Sequence, residues 1–159
     1  MTAADRRDES VQYATFEVGG HYLGIPVLQV QEVLREQYLT PVPLAPRVIS
    51  GLINLRGQIV PALEMRTLLQ LPERAEPEGT LSVVLRTEVG LVSLQVDEIG
   101  DVLEIEGAAV EASPANLEPH IRRLLSGVCR IGSRLLLVLD IHNAVDLTAA
   151  YGLSGSELN

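Results

Sequence analysis

An ungapped internal repeat constrains this chain more than any other feature of its sequence. Residues 48–69 read VISGLINLRGQIVPALEMRTLL, and residues 124–145 read LLSGVCRIGSRLLLVLDIHNAV. In each copy two aliphatic runs flank a short polar turn, which is the pattern of a β-hairpin. The copies agree at Ser50/Ser126, Gly51/Gly127, Leu52/Val128, Leu55/Ile131, Ile59/Leu135, Leu63/Leu139, Glu64/Asp140 and Met65/Ile141. The repeat predicts two similar β-units related by a pseudo-twofold axis.

The repetition extends upstream of these hairpins. LQVQEV at 28–33 returns as LQVDEI at 94–99, and Gly24 aligns with Gly90. The separation between the copies is larger in the hairpins, where Gly51 aligns with Gly127, than it is upstream. The second copy therefore carries about ten additional residues, which coincide with a proline-containing loop. Each copy is expected to form roughly five short strands.

Short strands bounded by glycine and proline favour small closed barrels over a flat sheet. For example, VQYATFEV at 11–18 alternates apolar and polar residues, Gly19-Gly20 supplies a tight turn, and HYLGIPV at 21–27 returns. An open sheet would leave aliphatic edges free to aggregate, whereas closure removes them. We predict a mainly β fold of two small barrels that stabilise each other by packing, with short helices, including one near the C-terminus.

The 159 residues fit a single domain. In chain order, the expected segments are a disordered N-terminal tail, the domain and a C-terminal tail, at 1–10, 11–148 and 149–159. Within the domain, barrel-forming halves span about 11–70 and 80–148, and a charged, proline-rich linker joins them at 71–79. The sequence leaves open whether strands exchange between the two halves.

Composition excludes several partners and locations. The net charge is −9, all twelve basic residues are arginine and only 3% of residues are aromatic. An acidic surface with few stacking platforms argues against nucleic acid as a partner. No uncharged apolar run approaches the length of a membrane span, and the polar start MTAADRRDES is no secretory signal. The single cysteine, Cys129, fits a reducing compartment, and we expect a cytoplasmic protein.

Catalytic motifs are absent from the sequence. There is no phosphate-binding glycine loop, HExxH, GxSxG or paired CxxC. The histidines share no spacing and are expected at the surface, at His21, His120 and His142. Cys129 aligns with Ile53 in the repeat, which favours a small buried hydrophobe over a nucleophile. The sequence predicts no enzyme and no cofactor.

An acidic segment offers the one alternative with chemistry. Its carboxylates could form a Mg²⁺ or Ca²⁺ site and make the chain a metal-dependent hydrolase; they are Asp97, Glu98, Asp101, Glu104 and Glu106. Their alternation with aliphatic residues favours a solvated strand face instead. A barrel that binds a small ligand is a further alternative, but it requires an enclosed apolar pocket with converging polar groups.

The dipeptide Arg56-Gly57 differs from its counterpart in the second copy. The equivalent turn there is Gly132-Ser133, so the turn itself does not require an arginine. A guanidinium on a stiff hairpin is well placed for fork-like hydrogen bonds to a carboxylate. The duplication places Glu32 near this hairpin. We predict a Glu32–Arg56 pair at or near the surface.

The sequence resembles the CheW-like adaptor family of bacterial chemotaxis over about residues 12–148. Matching segments are FEVGGHYLGIPVLQVQEVL, LTPVPLAPRVISGLINLRGQIVPALEMRTLL, GLVSLQVDEIGDVL and LSGVCRIGSRLLLVLDI. The second segment is the most diagnostic, because it keeps one order and spacing of a proline-rich loop followed by Gly51, Asn54-Leu55-Arg56-Gly57, Pro61 and Arg66.

The resemblance implies two SH3-like five-stranded β-barrels and no catalysis. It implies an adaptor that connects the cytoplasmic hairpin tip of a chemoreceptor to the regulatory domain of a CheA-type histidine kinase, with further CheW-like modules in rings. It places a Glu32–Arg56 pair at the receptor-binding groove, with partner-binding positions at Val30, Gly51, Asn54 and Gly57. An adaptor of a chemotaxis-like system that controls twitching motility or another output is the alternative.

Overall fold

The structure, a computed structural model, describes residues 9–35, 39–73 and 81–150, without the side chains of 147–150. Residues 1–8, most of the predicted linker at 71–79 and the end of the predicted tail at 149–159 lie outside the described residues. The predictions for those segments remain predictions.

Ten strands make up most of the described chain. They are β1 Ser10–Val18, β2 His21–Pro26, β3 Val30–Arg35, β4 Ile49–Leu55, β5 Gln58–Glu64, β6 Leu81–Thr87, β7 Gly90–Val96, β8 Glu98–Glu106, β9 Leu125–Ile131 and β10 Arg134–Leu139. The helices are α1 Met65–Leu68, α2 Pro119–Arg122 and α3 Ile141–Ala150. Among the described residues, no helix has the length and apolar character needed to cross a membrane.

The strands form two five-stranded sheets, and each sheet takes strands from both copies of the repeat. Barrel A has the order β8-β1-β2-β10-β9, and barrel B has the order β3-β6-β7-β5-β4. Because β1–β5 belong to the first copy and β6–β10 to the second, the copies exchange their last three strands. The chain therefore passes from barrel A to barrel B at Val27–Gln29 and returns at Asp97.

The two later hairpins repeat each other down to single hydrogen bonds. Leu52 lies opposite Pro61 in β4–β5, and Val128 lies opposite Leu137 in β9–β10, as the alignment of Gly51 with Gly127 predicts. The hydroxyl of Ser50 donates to the carbonyl of Ala62 at 3.1 Å, and that of Ser126 donates to Val138 at 3.4 Å. The hairpin alignment read from the sequence is therefore confirmed.

The upstream alignment, which matched Leu28 with Leu94, is wrong. The first hairpin closes at Val18–His21 and its counterpart at Thr87–Gly90, so His21, and not Gly24, corresponds to Gly90. Leu28 lies in the turn after β2 and is 87% exposed, whereas Leu94 is buried in β7. The similarity of LQVQEV and LQVDEI is misleading. The alignment that it suggests differs from the structural alignment by an odd number of positions, and such a shift moves each residue to the other face of its strand.

Three hydrophobic clusters hold the sheets together. The largest takes residues from both sheets and lies between them; its most buried members include Phe16, Leu23, Leu85 and Leu94. Each smaller cluster draws its buried residues from one sheet only, around Leu136 in barrel A and Val60 in barrel B. The aliphatic residues thus form one cluster within each barrel and a third between them. This central cluster joins the two barrels into one body.

Candidate partner-binding site

The β4–β5 hairpin ends in a tight, well-supported turn. Leu55 pairs with Gln58, and Arg56 and Gly57 between them have positive φ values of 51° and 86°. Two successive left-handed residues match the twist of the flanking strands. The side-chain oxygen of Asn54 accepts a hydrogen bond from the backbone N–H of Gly57 at 2.9 Å. The turn therefore presents the Arg56 side chain from a defined backbone.

Arg56 occupies a backbone conformation that favours glycine. In the second copy the equivalent residue is Gly132, with a φ of 59°, close to the 51° of Arg56. A residue with a Cβ is strained in this region, whereas glycine is not. The turn would thus be easier to form with glycine at position 56. The guanidinium, rather than the turn, is the reason that we assign to the arginine.

Glu32 lies on β3, at the opposite edge of barrel B from β4. Gln31 and Glu32 form a bulge opposite Val84, and the Glu32 carboxylate meets the Arg56 guanidinium in a two-pronged contact. Nη1 donates to Oε1 at 2.7 Å and Nη2 donates to Oε2 at 2.9 Å. The side chain of Arg56 is 71% exposed and that of Glu32 is 21% exposed. The pair bridges the two edges of the sheet and presents the arginine to solvent.

Each partner shifts the pKa of the other. The hydrogen bond from Arg56 lowers the pKa of Glu32, and the same contact raises the pKa of Arg56. Both residues are therefore charged at neutral pH, and the fork geometry holds the guanidinium plane in one orientation.

The other predicted partner-binding residues fall into two groups. Asn54 and Gly57 are exposed on the hairpin, beside Arg56. Val30 is half-buried and packs against the central cluster, and Gly51 is buried. A Cβ at Gly51 would lie 2.8 Å from the carbonyl oxygen of Thr40, so this glycine permits a close approach between two backbone segments. Val30 and Gly51 therefore have packing contacts, whereas Asn54 and Gly57 are exposed.

Barrel A has the same scaffold without the same surface. The bulge of β3 is repeated in β8, where Asp101 takes the place of Glu32 once the first hairpins of the two copies are aligned. Gly132 takes the place of Arg56, so no arginine can bridge the edges of barrel A at this point. The two barrels share one fold and differ in the chemistry that they expose.

The sequence did not predict an ion pair between Arg66 and Asp97. Arg66 Nε donates to Asp97 Oδ1 at 3.1 Å, and Nη2 donates to Oδ2 at 2.7 Å. The contact raises the pKa of Arg66. Arg66 directly follows the β4–β5 hairpin, and Asp97 lies between β7 and β8. No pattern in the linear sequence indicates that their side chains meet. The metal site considered as an alternative includes Asp97, but no group of three His, Cys, Asp or Glu side chains that could hold a metal ion occurs among the described residues.

A shallow cleft of about 270 Å³ lies beside β2 and β10 and is lined by Tyr22, Leu117 and Arg134 among others. The Arg134 guanidinium lies 4.0 Å from the centre of the Tyr22 ring and also pairs with Glu17. These polar groups therefore already interact with one another. Cys129 is buried, and desolvation raises the pKa of its thiol, which keeps the thiol protonated.

Sequence comparisons match most of the chain to one protein family. The family model of the CheW-like domain matches residues 12–149. The chain is 30% identical to Chemotaxis protein CheW of Treponema pallidum over 139 residues, which cover 85% of this chain and 82% of that protein. It is 35% identical to Protein FrzA of Myxococcus xanthus over 108 residues, 61% of this chain and 67% of that protein.

The crystal structure of the scaffolding protein TtCheW from Thermoanaerobacter tengcongensis shares the fold. It superposes with a TM-score of 0.75 at 20% identity, over 83% of this chain and 90% of that one. The predicted fold of two SH3-like five-stranded β-barrels is confirmed, and so is the prediction that the chain is not an enzyme. The chain belongs to the CheW family of chemotaxis scaffold adaptors.

Proposed function

We propose that the chain couples chemoreceptors to a CheA-type histidine kinase, and that the receptor's cytoplasmic hairpin tip binds at the Arg56 hairpin. One observation carries the assignment of the site: Arg56 is exposed and oriented by Glu32 in a backbone conformation that favours glycine. The adaptor would act in the cytoplasm, beside membrane receptor arrays, without entering the membrane.

The chemistry of the hairpin suits a protein partner. A guanidinium has five N–H donors, so the two bonds to Glu32 leave donors for carboxylates or carbonyls of a receptor helix. Exposed aliphatic residues also occur on the strands that carry the pair, at Val33 of β3 and Ile59 of β5. Arginine and exposed apolar residues are typical of protein–protein interfaces.

The kinase would bind elsewhere on the chain. Barrel A has an equivalent hairpin without the arginine, so a receptor helix that recognises Arg56 would not bind it in the same way. We assign the regulatory domain of the kinase, or another CheW-like module in a ring, to contacts outside the Arg56 hairpin.

The direct test replaces Arg56 with glutamate and uses Arg122→Glu on α2 as a charge-matched control at an exposed position. We expect Arg56→Glu to keep the wild-type circular dichroism spectrum while losing capture by a receptor-tip fragment and receptor-dependent kinase activity. Arg122→Glu should keep both. Unfolding of Arg56→Glu would make Arg56 structural, and undiminished receptor binding would remove the hairpin from the site.

A chemotaxis-like system with another output, such as twitching motility, is the second candidate. It is favoured by the 35% identity to Protein FrzA, a relative that does not carry the CheW name. Co-purification of the native protein with its receptor and kinase homologues distinguishes the two, because the co-purified kinase identifies the pathway.

A further inference from the structure

The chain crosses between the barrels twice, and an arginine holds each crossing. At Val27–Gln29, Arg86 of β6 donates to the carbonyl of Leu28 at 2.7 Å and to the side chain of Gln31 at 2.6 Å. At the second crossing, Arg66 binds the carboxylate of Asp97. The first crossing is held through backbone and amide oxygens, and the second through an ion pair.

Asp97 contacts barrel A through its backbone and its side chain. Its N–H donates to the carbonyl of Glu17 at 2.9 Å, and its Oδ2 accepts from the N–H of Gly19 at 2.6 Å. Glu17 lies near the end of β1, and Gly19 lies in the β1–β2 turn of barrel A. Asp97 therefore holds the end of this hairpin at the point where the chain leaves β7 of barrel B.

Arg66 approaches the same point from barrel B. It lies in α1, directly after β5, the strand that carries the Arg56 turn at its other end. Its Nη1 also donates to the carbonyl of Pro72 at 3.1 Å, which folds the segment after α1 back onto the arginine. Leu71 of this segment lies against Gly19: a Cβ added to Gly19 would be 2.5 Å from Leu71 Cδ1.

The burial of this pair separates it from ordinary surface pairs. The side chains of Arg66 and Asp97 are 22% and 20% exposed, whereas those of the Arg47–Glu73 pair are both 78% exposed. Solvent screens the exposed pair much more strongly. The repeat gives Arg66 no arginine counterpart, because His142 occupies the equivalent place in α3. This clamp is therefore specific to the hairpin that carries Arg56.

We propose that Arg66 is a positioning residue that, through Asp97, holds the Arg56 hairpin of barrel B in a fixed orientation relative to barrel A. An adaptor that binds two partners at separate surfaces transmits a signal only if the two surfaces keep one geometry. This inference rests on the proposed adaptor function and assigns the clamp to coupling, with no direct contact to either partner.

The test combines a structural and a functional measurement on the full chain. Spin labels at Gln58→Cys and Ser133→Cys, in a Cys129→Ala background, report the distance between the exposed hairpin turns of the two barrels. The variants are Arg66→Ala, Arg66→Lys, Asp97→Asn and the Arg66→Ala/Asp97→Asn double variant. Arg47→Ala is the matched control, because it removes an arginine from an exposed pair.

We expect a broader distance distribution for Arg66→Ala and Asp97→Asn, and no change for Arg47→Ala. Binding of a receptor-tip fragment alone and of a kinase regulatory domain alone should stay at wild-type affinity. Receptor-dependent kinase activity should fall by roughly 5- to 150-fold, the usual range for coupling between two sites. Arg66→Lys should restore part of it, since lysine keeps the charge but not the fork, and the double variant should lose no more than either single variant.

The clamp would be overturned if Arg66→Ala and Asp97→Asn left the distance distribution unchanged. It would also be overturned if they left receptor-dependent kinase activity unchanged. If binding of the receptor tip alone or the kinase domain alone fell as much as receptor-dependent kinase activity, the variants would have damaged the fold in general, and the clamp would not be supported. Asp97→Asn keeps a side-chain oxygen for the Gly19 N–H, so it remains informative if Arg66→Ala melts early. If the wild-type chain binds no receptor tip, the proposed function fails, while the distance measurement still decides whether the clamp orders the barrels.

Discussion

Arg56 combines a backbone strain with an outward-facing charge. Its positive φ disfavours any side chain, yet its guanidinium is held by Glu32 and exposed to solvent. Strained residues of this kind persist where surrounding structure supports them, and they concentrate at functional sites. Asn54 supplies that support by accepting from Gly57. The strain therefore supports the proposal that Arg56 acts through the contacts of its side chain.

Replacing Arg56 with glycine should separate folding from binding. Glycine removes the strain at this φ and copies the natural Gly132 turn of the second copy. We expect a melting temperature at or above that of the wild type, measured by circular dichroism, together with loss of receptor-tip binding, measured by calorimetry. A marked fall in melting temperature would show instead that the Glu32–Arg56 contact stabilises the fold.

The Glu32–Arg56 pair should persist at neutral pH and be lost only in acid. The hydrogen bond from Arg56 holds the pKa of Glu32 below its ordinary value of 4.5. A lowered folded-state pKa means that the interaction is fully present above the unfolded-state pKa and is lost as pH falls through the folded-state value. The pair should thus be constant through the neutral range.

Carbon-13 NMR titration of the Glu32 carboxyl measures this shift. In the wild type the midpoint should lie below that of an ordinary glutamate, and Arg56→Ala should raise it, whereas Arg122→Ala should leave it unchanged. Equal midpoints in the wild type and Arg56→Ala would contradict the hydrogen-bonded charge pair.

At the scale of the elements, each repeated hairpin uses its glycine in the same way. A Cβ at Gly51 would be 2.8 Å from the carbonyl oxygen of Thr40, and one at Gly127 would be 2.7 Å from that of Glu111. Each carbonyl belongs to a short bridge to the hairpin, Thr40–Leu52 or Glu111–Val128. The sequence showed these glycines as a repeated pair, but only the structure showed which backbone each one admits.

Gly51→Ala and Gly127→Ala should each destabilise the chain by about 1–3 kcal/mol, because backbone must move to admit the methyl group. Urea unfolding of both variants measures the loss. Gly132→Ala is the control: no atom lies within 4 Å of its Cβ position, so only the positive φ opposes the substitution and the loss should be smaller. A tolerated alanine at either 51 or 127 would show that the bridge segment can move away at little cost.

At the scale of the whole molecule, exchange of strands ties the barrels together. Neither copy of the repeat contains a complete sheet, since each barrel joins two strands of one copy to three of the other. The largest hydrophobic cluster also draws on both sheets. Separating the two copies of the repeat would therefore break strand pairing, and separating the two barrels would expose that cluster. The chain should thus unfold as one unit.

Leu94→Ala tests this cooperativity. Leu94 is fully buried in the central cluster, so its truncation should cost about 2–5 kcal/mol. Hydrogen exchange under rising denaturant should show the same loss in β1 of barrel A and β5 of barrel B. Val102→Ala, at a 58% exposed position, should change neither. Destabilisation confined to barrel B would mean that the barrels unfold independently.

The local architecture of the hairpins can be predicted from the sequence. The register of the β4–β5 and β9–β10 hairpins follows from a two-residue turn and from alternating aliphatic residues. Both features are visible in the sequence at 48–69 and 124–145. The meeting of Glu32 and Arg56 was anticipated from the unequal turns and the resemblance to a known family. Such features depend on residues that lie close together in the chain, or on motifs that can be recognised by their spacing in the sequence.

The way in which distant segments combine cannot be predicted from the sequence and is seen only in the folded chain. The true alignment of the first hairpins, the exchange of strands and the Arg66–Asp97 clamp all depend on pairings between segments far apart in the chain. The alternation of aliphatic and polar residues predicts a strand but does not identify the strand that pairs with it. Several pairings would satisfy the same pattern. In the pairing that the structure shows, the strands are exchanged and the central cluster is shared by the two sheets.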